Sequence, residues 1–156
     1  MAIAITLKEY LRNQDVDFEV IEHRHTDSTL QSCEAAHVPG DRMAKSVLLG
    51  DDGSYLMAVI PASHRLQLKR LNELTGRHLE MIREAELVEA FADCEPGAIP
   101  PTGRPYGIET IVDQSLTTQP DVYFETGDHT KLIHVSGRQF CELEADARED
   151  RISTHL

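Results

Sequence analysis

The sequence predicts a single α+β domain with a mixed, mostly antiparallel β-sheet and surrounding helices. Apolar runs of strand length recur along the chain, helical patterns lie among them, and the two do not alternate as regular βαβ units. The chain has 156 residues, which fits one domain spanning 1–156 whose core needs neither disulfides nor a metal staple.

The elements follow in order. Thr6-Leu7-Lys8-Glu9 has the form of a capping box, and Leu7, Tyr10 and Leu11 continue it at helical spacing, so a first helix is expected to about Asn13. Phe18-Glu19-Val20-Ile21 reads as a short strand. Residues 28–36 read as a second helix, entered through Thr26-Asp27-Ser28. The clearest hairpin joins Ser46-Val47-Leu48-Leu49 to residues 55–60 across Gly50-Asp51-Asp52-Gly53, and Pro61 stops it. Leu66, Leu71 and Leu74 mark one side of an amphipathic helix ended by Gly76. A short helix is expected over 84–91, then strands over 108–112, 122–124 and 132–135, and a closing helix over 138–145.

Charge bounds the function. The net charge of −12 argues against a surface that grips nucleic acid everywhere by counterion release. Basic charge is concentrated instead in the predicted helix around 64–78, where Arg65, Lys69, Arg70 and Arg77 face the single acid Glu73. Such a stretch is either a solvated face or a local patch for an anionic partner. No apolar stretch approaches the roughly 18 residues that span a bilayer, so no membrane association is expected. The N-terminus lacks the pattern of a signal peptide. Three widely spaced cysteines, Cys33, Cys94 and Cys141, point to a reducing cytoplasm.

Residues 97–103, Gly97-Ala98-Ile99-Pro100-Pro101-Thr102-Gly103, form neither helix nor strand. Two adjacent prolines fix φ and two glycines open other backbone regions, so the loop has a set shape, either as a connector or as a frame that aims backbone amides. Lys45 precedes the buried-type run Val47-Leu48-Leu49, where its ammonium either reaches water or waits at a cleft for a phosphate or the ribose end of a nucleotide. His129 lies in the turn Gly127-Asp128-His129-Thr130 between two predicted strands, either as a plain turn residue or aimed into a pocket at the sheet end. The eight histidines show no spacing of a metal site, and no cofactor fingerprint, phosphate loop or nucleophile elbow occurs. Neither metal nor cofactor is therefore expected. Cys94 reads as a packing residue, since no base or helix N-terminus accompanies it.

Ala44-Lys45-Ser46, Ala58-Val59-Ile60-Pro61, the 97–103 loop and Gly127-Asp128-His129 occur in the order that characterises one family. The chain resembles the YbaK/ProX family, free-standing relatives of the prolyl-tRNA synthetase editing domain, over about residues 23–140. The resemblance implies a barrel-like sheet and a cytoplasmic enzyme that hydrolyses the ester of a mischarged tRNA, usually tRNA for proline. It implies prolyl-tRNA synthetase or other translation factors as further partners. On it, Lys45 holds the terminal adenosine. The loop residues Gly97, Ala98, Ile99 and Pro101 lie beside the scissile ester, and His23, Ser46, Gly103 and His129 bind substrate. Apart from the resemblance, the local basic field of Arg65, Lys69, Arg70 and Arg77 suits contact with the acceptor stem. Elementary chemistry fits this assignment, because an aminoacyl ester is already activated and needs mainly orientation, amide donors for the oxyanion and a water. Pro100 departs from the family pattern, in which a small hydroxyl residue often precedes the loop proline. The alternative reading is a non-catalytic module that binds a nucleotide or amino acid on the same fold.

Overall fold

The computed structural model describes residues 4–82, 86, 89, 91–95 and 98–156. The helix expected over 84–91 falls largely outside the described residues, and Gly97 lies outside them. The elements in chain order are α1 (Ile5–Gln14), β1 (Glu19–Glu22), α2 (Thr29–Ala36), β2 (Met43–Asp51), β3 (Ser54–Pro61), β4 (His64–Leu66), α3 (Leu68–Thr75), β5 (Glu80–Met81), β6 (Glu109–Asp113), α4 (Gln114–Thr117), β7 (Asp121–Glu125), β8 (Lys131–Ser136), α5 (Gly137–Leu143), β9 (Arg148–Asp150) and β10 (Ser153–His155).

An eight-stranded sheet runs β1-β8-β7-β2-β3-β6-β9, with β5 paired to β2 beside this path; β4 and β10 form a separate ribbon. Most pairings are antiparallel, and the parallel ones are β2–β7, β3–β6 and β6–β9. The α+β class and mixed sheet match the sequence reading. Barrel-like closure does not occur, because β1 and β9 are edges of an open order.

Alternation along the strands sends side chains to two covered faces. Ala44, Leu48, Met57, Val59, Val112, Phe124 and Ile133 pack with Leu7 and Leu11 of α1, Leu116 of α4, and Phe140 and Leu143 of α5. On the opposite face Leu49, Leu56, Ala58, Ile60 and Ile111 meet Leu71 of α3, while Met43, Ala62 and Leu132 meet Cys33 of α2. Both faces being buried explains why β3 reads as a continuous apolar run.

The hairpin forms as its sequence dictates, with Asp51 opposite Ser54 and a two-residue turn in which Asp52 and Gly53 have φ of 42° and 82°. Ser28 caps α2 by accepting from the Gln31 amide. Two expectations are corrected. Thr6 lies inside α1 and forms no capping box; its amide instead donates to Asp93 Oδ2 at 3.1 Å, a cap supplied from 87 residues away. Residues 64–66 are strand rather than helix, because they pair with 153–155, so Arg65 stands on β4 and α3 starts only at Leu68.

Burial opposes ionisation of Asp93, but hydrogen bonds from the Thr6 amide and hydroxyl and from Cys94 outweigh it and hold the carboxyl below its ordinary value. Asp93→Ala is expected to cost about 1–2 kcal/mol, the usual worth of a lost N-cap, read from the midpoint of urea unfolding. Because the folded value is depressed, the wild-type advantage should be complete above the ordinary carboxylate value and fade as pH falls through the lower folded one.

Candidate active site

The site forms where β2 changes partner. On one edge β2 pairs in parallel with β7 at Met43 and Ala44, and further along with β5 at Leu49 and Gly50. Among the described residues the stretch between has no strand beside it on this edge, while its other edge pairs with β3. That stretch holds Lys45 and Ser46, at the carboxyl end of β7. A crevice at the end of parallel strands is a common place for ligands.

The proline loop meets this gap. Ser46 Oγ donates to the Ile99 carbonyl at 2.9 Å. The Gly127 amide donates to the Ala98 carbonyl at 3.0 Å, and the Glu95 amide to the Gly127 carbonyl at 2.6 Å, so the start of the loop is bound to the Gly127-Asp128-His129 turn. Gly127 has φ of 109°, and a methyl group there would lie 2.6 Å from Ala4 Cβ; the position requires glycine on both counts. Gly103 ends the loop under a different constraint. A Cβ there would lie 2.1 Å from Thr110 Oγ1 and 2.5 Å from the Ile108 carbonyl oxygen.

Ala98, Ile99, Pro100, Pro101, Thr102 and Gly103 are all buried. The Ala98 amide is occupied, donating to the Glu95 carbonyl at 3.1 Å. Neither proline has an N–H. Among the described residues the amides of Ile99, Thr102 and Gly103 donate to no other protein group, and the Thr102 hydroxyl is buried without a partner.

Acids and histidines line the turn. Buried His129 and Glu125 face each other with Nδ1 3.2 Å from Oε1, and their side chains are 3% and 2% exposed. With Nδ1 assigned as the donor, the carboxylate fixes the tautomer and the ring. Glu95 Oε2 accepts from the His129 amide at 3.1 Å and lies 3.1 Å from His25 Nε2. The His25 and His129 rings meet edge to face with centroids 6.2 Å apart. His23 turns its Nδ1 toward the Arg24 carbonyl at 2.7 Å, and its Nε2 is buried with no partner among the described residues.

Lys45 is half-buried and forms no ion pair among the described residues. Desolvation holds its ammonium below the ordinary lysine value, with Cys33 acting weakly the other way. Burial pushes the Cys33 thiol up to about 11; the Glu125 charge adds to this, and Lys45 works against it. Lys45 and Ser46 are successive residues of one strand, so Ser46 points to the loop and Lys45 to the α2 side, where Cys33 and Glu125 lie.

The structure thus brings Lys45, Ser46, loop residues 98–103 and His129 to one region. Glu95 and Glu125 join them without having been singled out, and His25 and Cys33 lie with them. Glu125 had a signal, an acid ending the apolar run Val122-Tyr123-Phe124, but acids commonly end strands. The basic residues stand apart on β4 and around α3. Arg77 is held by Asp51, with Nε at 3.1 and 3.2 Å from its oxygens, and lies 3.6 Å from Glu109. Arg70 donates to the Arg151 carbonyl at 2.6 Å and lies 3.7 Å from Asp150. Among the described residues Arg65 and Lys69 form no ion pair. No described group of three His, Cys, Asp or Glu side chains is placed to hold a metal ion. No helix among the described residues is long and apolar enough to cross a membrane.

The proline loop is thus bonded to β2 through Ser46 and to the glycine turn through Gly127, with part of its described amides unclaimed by protein groups. The sequence profile of the aminoacyl-tRNA editing domain matches residues 23–143, and the chain belongs to that family. Among solved structures it is similar to the hypothetical protein APE2540, at 22% identity and a TM-score of 0.83, over 96% of this chain and 99% of that one. It is also similar to a candidate trans-editing enzyme for prolyl-tRNA synthetase, at 18% identity and a TM-score of 0.83, over 97% and 96% of the two chains. A Marinobacter aquaeolei protein assigned to signal transduction matches with 21% identity and a TM-score of 0.78 over 98% of this chain but 31% of its own. At these identities the likeness concerns the fold. No curated protein matches the chain.

The thiol environments predict an order of reaction. Cys141 is exposed, although burial of its sulfur and the charges of Glu149 and Glu144 raise its thiol as well, whereas Cys33 is buried and pushed up to about 11 and half-buried Cys94 is pushed up to about 12 by burial. Iodoacetamide near pH 8 should alkylate Cys141 first and the other two more slowly, because only accessible thiolate reacts. Peptide mass spectrometry over time reads the order.

Proposed function

We propose that the protein is a trans-editing deacylase that hydrolyses the ester joining a wrong amino acid to tRNA, with tRNA for proline as its carrier. The observation that carries this reading is Lys45, a half-buried cation with no described counter-ion, next in the chain to Ser46, whose hydroxyl holds a loop whose described amides are partly unclaimed. A desolvated ammonium without an acid favours an anion, and the terminal nucleotide of tRNA supplies a phosphate.

On this reading Lys45 holds the terminal adenosine and the ester carbonyl lies against the loop. Water adds to the carbonyl carbon, and the oxyanion is met by amides of Ile99, Thr102 or Gly103, since that of Ala98 is occupied and Gly97 lies outside the described residues. The vicinal ribose hydroxyl positions the water. The tetrahedral intermediate then collapses, the ribose oxygen leaves with a proton, and free amino acid and tRNA result. Glu125 and Glu95 keep His129 and its turn in place, while Ser46 and Pro101 fix the loop. His23 offers a buried ring nitrogen to the substrate.

Purified protein incubated with a panel of tRNAs, each charged with a wrong amino acid, tests the reading. At least one, on tRNA for proline, should be deacylated, and Lys45→Ala should lower kcat/KM by roughly 10- to 100-fold, the worth of one charge-assisted hydrogen bond. If no ester is cleaved faster than by Lys45→Ala, the enzyme reading fails; nucleotide binding retained in that case would make the protein a binding module.

Three of the basic residues should then separate. Arg65→Ala and Lys69→Ala are expected to raise KM severalfold and each to reduce the salt dependence by about one ion. Arg77→Ala should act mainly on the stability of the hairpin turn it holds through Asp51. Equal effects of all these substitutions on KM would remove the assigned tRNA contact.

A further inference from the structure

A cavity of about 300 Å³ opens between residues 103–110 and 143–147. Neither Lys45, Ser46 nor His129 lines it. Its distinguishing group is Glu144, one residue beyond α5, which is 8% exposed and has Oε1 buried with no hydrogen-bond partner. Among the described residues its carboxyl group forms no ion pair, and burial alone pushes its proton affinity well above the ordinary glutamate value. An acid in this state is costly to keep, because a buried polar group loses its water without gaining a partner.

The rest of the wall indicates the missing partner. Glu109 and Asp146 also line the cavity, and the only basic residue among its lining is Arg104, whose Nε lies 3.0 Å from Asp146 in a largely exposed pair. The local balance is acidic, which disfavours an anion. Leu143, Ile108 and Ala147 supply apolar wall. The volume is at the small end of ligand cavities, about 300–1,000 Å³. A primary ammonium meets these conditions, with a positive charge for Glu144 and three donors to share.

We propose that this cavity binds a small molecule carrying a primary ammonium group, with the Glu144 carboxylate as its counter-ion. Two sources share that chemistry. A free α-amino acid adds a carboxylate, which would draw Arg104 from the exposed Asp146; an aliphatic diamine would use Glu144 and Asp146 together. In either case the ligand lies against Gly103, the tightly packed last residue of the proline loop, so occupancy reaches the loop from the side away from its bond to Ser46 only through this end.

Isothermal titration of the protein without tRNA, at 150 mM salt, tests the proposal with L-alanine and with putrescine as probes. At least one should bind saturably at one site, and Glu144→Gln should weaken it at least tenfold while Lys45→Ala leaves it unchanged. Loss of alanine binding on Arg104→Gln identifies the amino acid as the source; putrescine binding that survives Arg104→Gln identifies the diamine. Ala147→Leu, which fills the cavity without touching the acid, should abolish binding and guards against misfolding of Glu144→Gln. No saturable binding of either probe, or binding unaltered by both Glu144→Gln and Ala147→Leu, overturns the proposal.

Discussion

The reciprocal backbone bonding at Gly127 is the constraint on which the rest of this structure depends. Its amide and carbonyl hold the segment carrying Glu95 and Ala98, and its missing side chain admits Ala4 at the start of α1. The preceding carbonyl, of Thr126, accepts from the Ala4 amide at 2.8 Å. One residue thereby fixes a helix start, the proline loop and the His129 turn. Asp93, close to the same segment, caps α1 from the other side. Any shift at Gly127 therefore moves a structural cap and the candidate site together.

Charge is arranged with the same economy. The chain is strongly acidic, yet half-buried Lys45 has no acid as a partner among the described residues, while the buried acid Glu125 faces His129. Pairing Lys45 with Glu125 would neutralise both and leave nothing for an anionic ligand. Residues 43 and 44 lie opposite 123 and 124, so Glu125 follows at the neighbouring position, and its attachment to His129 keeps the two charges from closing on each other.

What was legible in the sequence was what neighbours in sequence decide. The hairpin, the Ser28 cap and the strand around Phe124 follow from local turn chemistry and apolar runs. β4 was not legible, because His64-Arg65-Leu66 gains strand geometry only by pairing with residues 153–155. The α1 cap failed for the same reason: Thr6 and Glu9 make a good local signature, but Asp93 supplies the acceptor from far along the chain. In the site, Lys45 stood out as a cation before an apolar run, and His129 as a side chain in a glycine turn. Glu95 and Glu125 did not, since their meaning comes from His129 and His25 across the fold. The basic patch looked uniform in sequence, and only the positions of Asp51 and Asp150 divide it.

The two prolines illustrate how a loss of donors can serve a site. Pro100 and Pro101 remove two amides from the loop, and each restricts the residue before it to extended backbone, so the segment from Ile99 onward has little freedom left to lose. Ser46 holds the Ile99 carbonyl and Gly127 holds that of Ala98, which turns the backbone polarity of this segment outward from those bonds. Fewer amides in fixed positions stabilise a developing charge better than more amides that must reorganise, because preorganised dipoles cost nothing at the moment of reaction. On the deacylase reading, a rigid loop of this kind treats every ester carbonyl alike. Discrimination between one attached amino acid and another must then come from the side-chain walls around the crevice, and not from the loop itself.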